Sequence, residues 1–182
     1  MPDEVVINKA IFWDRDGVLN QALIRDGKPF SPRSRDQFVL IDGVGDVLEM
    51  TAGLGFLNIV VTNQPDIGTG HVTWELINDF HQNIMTSLPV ERVYVCSHVD
   101  EDRCACRKPG NGLLLQAAND YELSLPDCWL VGDRWKDIDA GRSVGCRTIY
   151  VDRGYQETRA EGYDFLCRDT SDVVRIFEEV SL

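Results

Sequence analysis

The sequence predicts an α/β fold in which a mostly parallel central sheet is covered by helices on both faces. Two observations carry that expectation. Apolar runs of strand length alternate along the chain with stripes at helical spacing, the pattern of successive βα units. Several of those runs also stop at a carboxylate or amide, at the strand ends where open α/β sheets build their active sites. With 182 residues, a single domain over residues 1–182 is expected.

The first apolar run, Val5 to Trp13, gives out into Asp14-Arg15-Asp16-Gly17. The second, Phe56 to Val61, leads into Thr62-Asn63-Gln64. Thr73 is placed as the N-cap of a helix whose Ile77, Phe80, Ile84 and Leu88 recur at spacings of three and four. Arg92 to Cys96 is the third strand, and Leu113, Leu114, Ala117, Ala118 and Tyr121 mark the next helix. Cys128 to Val131 runs into Gly132-Asp133, Arg147 to Val151 follows, and Phe165 to Cys167 is a weaker sixth strand. Val173, Phe177 and Val180 after Ser171 end the chain in a helix. The three helical stripes, Trp13 and Trp129 read as packing, His81 as packing or surface, and Cys128, Cys146 and Cys167 as buried thiols. Trp74 starts a helix, His71 has no partner that spacing identifies, and Trp135 stands close enough to Asp133 to wall a pocket.

Eighteen Lys and Arg against thirty Asp and Glu give a net charge of −12, which opposes nucleic acid or an anionic membrane as partner. No apolar run approaches the roughly 18 residues of a membrane helix, and the acidic start lacks the features of a signal peptide. A cytoplasmic, monomeric protein acting on a small molecule is expected.

The chemistry gathers at four strand ends. Asp14 and Asp16 point the same way if the strand continues, because extended side chains alternate with period two. Two such acids repel unless a cation or a reacting phosphate uses them. Thr62 and Asn63 offer a hydroxyl and an amide to a phosphoryl oxygen. Arg107-Lys108-Pro109 supplies cations, and Asp133 places another carboxylate at a strand end with Asp137 four residues on. Each alone would pass for a turn or cap. All four in order are hard to assign to chance.

Those motifs, from about Ile11 to Asp152, resemble the haloacid dehalogenase superfamily of phosphatases. Asp14-Arg15-Asp16-Gly17, Val61-Thr62-Asn63-Gln64 and Cys104-Ala105-Cys106-Arg107-Lys108-Pro109 look, more narrowly, like the D-glycero-D-manno-heptose 1,7-bisphosphate phosphatases. Histidinol-phosphate phosphatases are close relatives of these. The resemblance implies a three-layer Rossmann-like fold with a minimal cap or none. It also implies Mg²⁺-dependent removal of the C7 phosphate of a heptose bisphosphate, in making surface-polysaccharide precursors. Histidinol-phosphate hydrolysis is the alternative, and the likeness to phosphatases of nucleic-acid ends is opposed by the charge. A catalytically silent binding protein would not need to retain Asp14, Asp16, Lys108 and Asp133.

The physical roles follow. Asp14 would attack phosphorus and form an aspartyl-phosphate. Asp16 would protonate the leaving alkoxide and later take a proton from water. Asp14, the backbone carbonyl of Asp16, and Asp133 would hold Mg²⁺. Thr62 and Lys108 would hold the equatorial oxygens, with Asp137 orienting Lys108 or a metal-bound water.

Cys96, His98, Cys104 and Cys106 fall within eleven residues and can close a tetrahedral Cys₃His zinc site. With every position filled, such a zinc would be structural, pinning the loop that carries Arg107 and Lys108. The resemblance carries zinc at the same Cys-x-His and Cys-x-Cys.

For specificity, the sequence leaves no room for a large cap, so an open site bounded by short loops is expected. Residues 21–35 hold Arg25, Lys28, Arg33 and Arg35 against Asp26 alone, suggesting an anion-facing loop. Arg25, Asn63, Arg107 and Arg134 are the candidate substrate contacts. Pro65-Asp66 and Gly68-Thr69-Gly70 depart from the family pattern, and Asp66 would bring negative charge near the anion site.

Overall fold

Six parallel strands form the central sheet in the computed structural model, which describes residues 8–180. In chain order the strands are β1 (Ala10–Trp13), a hairpin of β2 (Leu23–Arg25) and β3 (Lys28–Phe30), then β4 (Leu57–Asn63) and β5 (Arg92–Cys96). β6 (Trp129–Gly132), β7 (Arg147–Val151) and β8 (Phe165–Cys167) follow. The helices are α1 (Val44–Gly53), the single turn α2 (Pro65–Gly68), α3 (Trp74–Ser87), α4 (Gly112–Tyr121), α5 (Trp135–Ser143) and α6 (Val173–Val180).

The sheet order is β5-β4-β1-β6-β7-β8. After β1 the chain builds outward through β4 and β5, then returns to the other side of β1 and builds outward again. β1 is therefore the switch point, where the connections leave in opposite directions and open a crevice beyond the strand ends. Trp13, the last residue of β1, pairs with Val60 on one side and Val131 on the other. The residues just after β1, within the end of β4 and after β6 thus emerge together.

Alternation along β1 divides the core. Ile11 and Trp13 face α1 and α6, packing with Val44, Val47, Leu48, Val173 and Phe177. Ala10 and Phe12 face the opposite layer with Leu113, Leu114 and Ala117 of α4 and Ala140 of α5. Thr73 caps α3 by accepting from the Leu76 N–H at 3.2 Å, as expected. Cys128, Cys146 and Cys167 are buried free thiols.

Three features differ from the sequence reading. β1 starts at Ala10; Val5 to Ile7 of the expected strand lie outside the described residues. The hairpin β2–β3 was not anticipated: its strands are three residues each and partly exposed, too short for an alternating pattern to show. Helix α1 was also missed, although Val44, Val47, Leu48 and Thr51 form a buried stripe. Among the described residues, no helix is long and apolar enough to cross a membrane.

Candidate active site

Asp14 leaves the end of β1 with its N–H donating to the Val131 carbonyl of β6 at 2.9 Å. Lys108 reaches it from the loop before α4. Its Nζ donates to Asp14 Oδ1 at 2.6 Å and to the Val61 carbonyl at 2.8 Å, and pairs with Asp137 Oδ1 at 2.5 Å. Asn63 sets that loop's position: its Oδ1 accepts from the Lys108 N–H at 3.1 Å and its Nδ2 donates to the Lys108 carbonyl at 3.0 Å. Both ends of this amide are engaged with the Lys108 backbone, so Asn63 clasps Lys108 as well as standing at the cleft where a substrate contact was expected. Thr62 Oγ1 accepts from Gln64 Nε2 at 2.9 Å, leaving its own proton to donate.

Asp133 follows β6 and is 1% exposed. Its Oδ2 accepts from the Tyr155 hydroxyl at 2.6 Å, while its Oδ1 is buried with no partner among the described residues. Burial, then the neighbouring Asp14 and Asp137 carboxylates, push its pKa well above the usual range. Asp14 is pushed up to about 6, chiefly by burial, against the attraction of Lys108. Asp137 Oδ2 accepts from the Arg134 N–H at 3.0 Å, which fixes the start of α5 and leaves Oδ1 for Lys108. Of the two roles expected for Asp137, orienting Lys108 is the one found.

One oxygen from each of Asp14, Asp133 and Asp137 lies within 4.8 Å of the others. Three buried carboxylates beside a single lysine leave excess negative charge, and the orphaned Asp133 Oδ1 has no donor to offset its burial. A hard divalent cation suits both. Gly17 makes room for this arrangement: at φ +86°, a Cβ there would lie 1.9 Å from Asp133 Oδ2.

Asp16 points elsewhere. Its carboxylate accepts from Arg15 Nε and Nη2, from Asn20 at 2.9 Å, from Ser31 at 2.7 Å and from Gln64 at 2.8 Å. Burial would raise its pKa, but the Arg15 guanidinium and the bonds from Ser31, Gln64 and Asn20 outweigh it and hold the group below the usual range. Arg15 is fully buried beside the stacked rings of Phe38 and Phe80, with its Nη1 3.2 Å from His81 Nε2. Burial and then Arg15 push His81 down to about 3, so the ring is neutral and accepts from Arg15. Of the two places open to His81, packing or surface, it takes the first, with a partner that spacing did not reveal.

Asp14, Asp16, Thr62, Asn63, Lys108, Arg134 and Asp137 line one cleft, walled on the hairpin side by Pro29, Phe30 and Ser31 and joined by Lys136. Two expected substrate contacts are not among its lining. Arg25 lies on the hairpin's exposed side, 5.5 Å over the Phe30 ring. Arg107 is bound to Asp100 at 2.6 Å and to the His98 carbonyl at 3.2 Å, bracing the cysteine loop. Arg134 lines the cleft but is paired with Glu157. The basic loop is largely neutralised, because Arg33 forks onto Asp66 at 2.8 and 3.0 Å and Arg35 pairs with Asp79. Asp66 is thus spent on Arg33. Trp135 packs with Ile138, Tyr150 and Ala160 and is not a cleft wall.

Cys96, His98, Cys104 and Cys106 converge as expected. His98 Nδ1 is 3.4 Å from Cys96 Sγ and 3.2 Å from Cys106 Sγ, and the sulfur–sulfur separations are 3.2 to 3.7 Å. A tetrahedron around zinc, with Zn–S of about 2.3 Å, has edges of roughly 3.6–3.8 Å. The donor set suits zinc, and its edges, most of them a few tenths of an ångström shorter than this, would open slightly around the ion.

A family model described as HAD-hydrolase-like matches residues 105–173. A crystal structure of the D,D-heptose 1,7-bisphosphate phosphatase from B. bronchiseptica, complexed with magnesium and phosphate, superposes with a TM-score of 0.80. It is 25% identical and the match covers 96% of this chain and 99% of that one. The D-glycero-beta-D-manno-heptose-1,7-bisphosphate 7-phosphatase of Helicobacter pylori is 33% identical over 140 residues, 74% of this chain and 78% of the relative. The D-glycero-alpha-D-manno-heptose-1,7-bisphosphate 7-phosphatase of Burkholderia mallei is 35% identical over 156 residues, 79% of each chain. The chain belongs to the heptose bisphosphate phosphatase family of haloacid dehalogenase-like hydrolases. As a member of that family it is a phosphoric monoester hydrolase. Within the family's motif frame, Arg15, Ser31, Lys136 and Tyr155 are the site residues that sequence reasoning passed over. Arg15 and Lys136 stand inside quoted motifs and could have been read as cations beside acids. Ser31 and Tyr155 carry no spacing signal.

Proposed function

We propose that this phosphatase removes the C7 phosphate of a D-glycero-D-manno-heptose 1,7-bisphosphate in the cytoplasm, supplying heptose precursors for surface polysaccharide. The reading rests on one observation above all: Asp14, Thr62 and Lys108 converge on a single cleft at the switch point of the sheet. The names of the relatives at 33 and 35% identity support the substrate. Lys136 at the cleft, held by Asp100 only at 3.4 Å, favours an anionic sugar over a cationic amino alcohol such as histidinol phosphate.

Asp14 attacks phosphorus in line, and the aspartyl-phosphate splits one hard displacement into two. Lys108 stays positioned by Asp137 and Asn63 while its ammonium, with the Thr62 hydroxyl, holds the equatorial oxygens as their charge redistributes. Asp16 handles the proton at the leaving oxygen. The Ser31 hydroxyl donates to the Asp16 carboxylate, and it can turn to accept once that carboxyl is protonated. Asp14, Asp133 and the backbone carbonyl of Asp16 would hold Mg²⁺, whose charge would offset repulsion between the carboxylate nucleophile and the phosphate dianion. A structural Zn²⁺ on Cys96, His98, Cys104 and Cys106 steadies the loop carrying Lys108.

The test is a phosphate-release comparison by kcat/KM across heptose 1,7-bisphosphate, heptose 7-phosphate, histidinol phosphate and simple sugar phosphates, with Asp14→Asn as the blank. The bisphosphate should lead and the variant should release nothing. A preference for histidinol phosphate, or turnover by Asp14→Asn, would overturn the reading.

A further inference from the structure

Asp133 has two inequivalent oxygens. Oδ1 is buried and has no partner among the described residues, whereas Oδ2 accepts from the Tyr155 hydroxyl at 2.6 Å. Tyr155 belongs to the loop after β7, and its flanks are tied down on both sides. Arg153 Nε donates to the Gly17 carbonyl at 2.9 Å, and the Gln156 N–H donates to the Gly27 carbonyl of the hairpin turn at 2.8 Å. The glycine at position 17 is what lets phenol and carboxylate meet, since a Cβ there would come within 2.6 Å of the Tyr155 hydroxyl and 1.9 Å of Asp133 Oδ2. A carboxylate with one oxygen held and the other bare has a fixed orientation, which is what an outer partner does for a ligating group.

We propose that Tyr155 is a positioning residue whose hydroxyl fixes Asp133 so that its other oxygen is presented to the divalent ion. The inference rests on the phosphatase reading above, and it assigns a task to a residue outside the four motifs. Because Tyr155 acts through Asp133, its loss weakens metal binding and leaves the phosphate-holding groups in place.

Mn²⁺ is the probe, with free ion followed by electron paramagnetic resonance in titrations of the full chain. Tyr155→Phe keeps the ring and removes only the hydroxyl. It should bind Mn²⁺ about tenfold more weakly. The Mg²⁺ concentration for half-maximal rate should rise by a similar factor, with the substrate KM at saturating Mg²⁺ unmoved. The rise in melting temperature on adding Mn²⁺, taken for each protein from its own EDTA baseline, should shrink in the variant even if that baseline falls. Wild-type Mn²⁺ affinity in Tyr155→Phe would overturn the proposal and leave the phosphatase reading standing. A wild-type protein that takes up no Mn²⁺ would overturn both.

Discussion

The Lys108 ammonium lies 2.6 Å from the Asp14 carboxylate, and both groups are buried. Burial would lower the lysine's pKa, but Asp137 and Asp14 together raise it, so the cation persists at every working pH. Lys108 is the counter-charge that lets Asp14 be an anion at all in this position.

Lys108→Met should therefore be costly in two separable ways. In EDTA it leaves Asp14, Asp133 and Asp137 without that cation, a loss of about 3–5 kcal/mol in urea unfolding. Adding Mg²⁺ should return part of it. At saturating Mg²⁺ the rate should still fall by about 10²–10³, because a donor to the transferring group is gone. Stability unchanged in EDTA would contradict this account of Lys108.

The cysteine cluster makes a compositional prediction. Metal-replete protein should carry about one zinc per chain, and Cys106→Ser should lower both zinc content and melting temperature. Turnover should fall as well, although Cys106 does not line the cleft, because its loop runs straight into Lys108. Full activity in zinc-free protein would separate the loop from catalysis.

His81 predicts an acid-sensitive stability. Its pKa falls from an ordinary 6.5 when unfolded to about 3 in the folded protein, so the unfolded chain binds more protons between those values. Stability contributed by keeping this ring neutral is whole above about pH 6.5 and is lost as pH falls. At pH 5 the loss from this one group is about 2 kcal/mol. His81→Gln keeps an acceptor for Arg15 and should flatten the stability profile between pH 6.5 and 5, read by urea unfolding at several pH values. An unchanged slope would place the acid sensitivity elsewhere.

Ser31→Ala should expose the link between the hairpin and the proton-transferring carboxyl. Losing a donor to the anion lets the Asp16 pKa rise, and because Asp16 must carry the proton it gives to the leaving oxygen, the basic limb of the kcat/KM profile should move to higher pH. A fall in kcat of about tenfold should accompany it. If only KM changes, Ser31 touches substrate alone.

The long apolar runs and the motif-bearing strand ends were legible because parallel strands buried on both faces have no polar positions to blur them. Asp14, Thr62 and Asp133 could be placed for that reason, whereas Lys108, in the loop between β5 and α4, was placed by the Arg107-Lys108-Pro109 motif. The hairpin could not, since three-residue strands are held by a turn and a neighbour rather than by pattern. The surroundings of Arg107 were hidden for a related reason. Sequence shows a cation but not the acid folded against it, and Asp100, which holds Arg107, is seven residues away through the cysteine loop. Tyr155 was invisible because its partner lies 22 residues earlier, at the end of a different strand.

The position of β1 at the middle of the sheet has a further consequence for how the enzyme is made. During synthesis Asp14, Thr62 and Lys108 leave the ribosome first, and can assemble on β1, β4 and β5 before β6 exists. Asp133 arrives only with the second half of the chain. Val131 and Asp137, which hold Asp14 and Lys108 in place, come with it, so a nascent polypeptide carries nucleophile and ammonium before it has the groups that fix them, and the site is whole only once β6 has reached the vacant flank of β1.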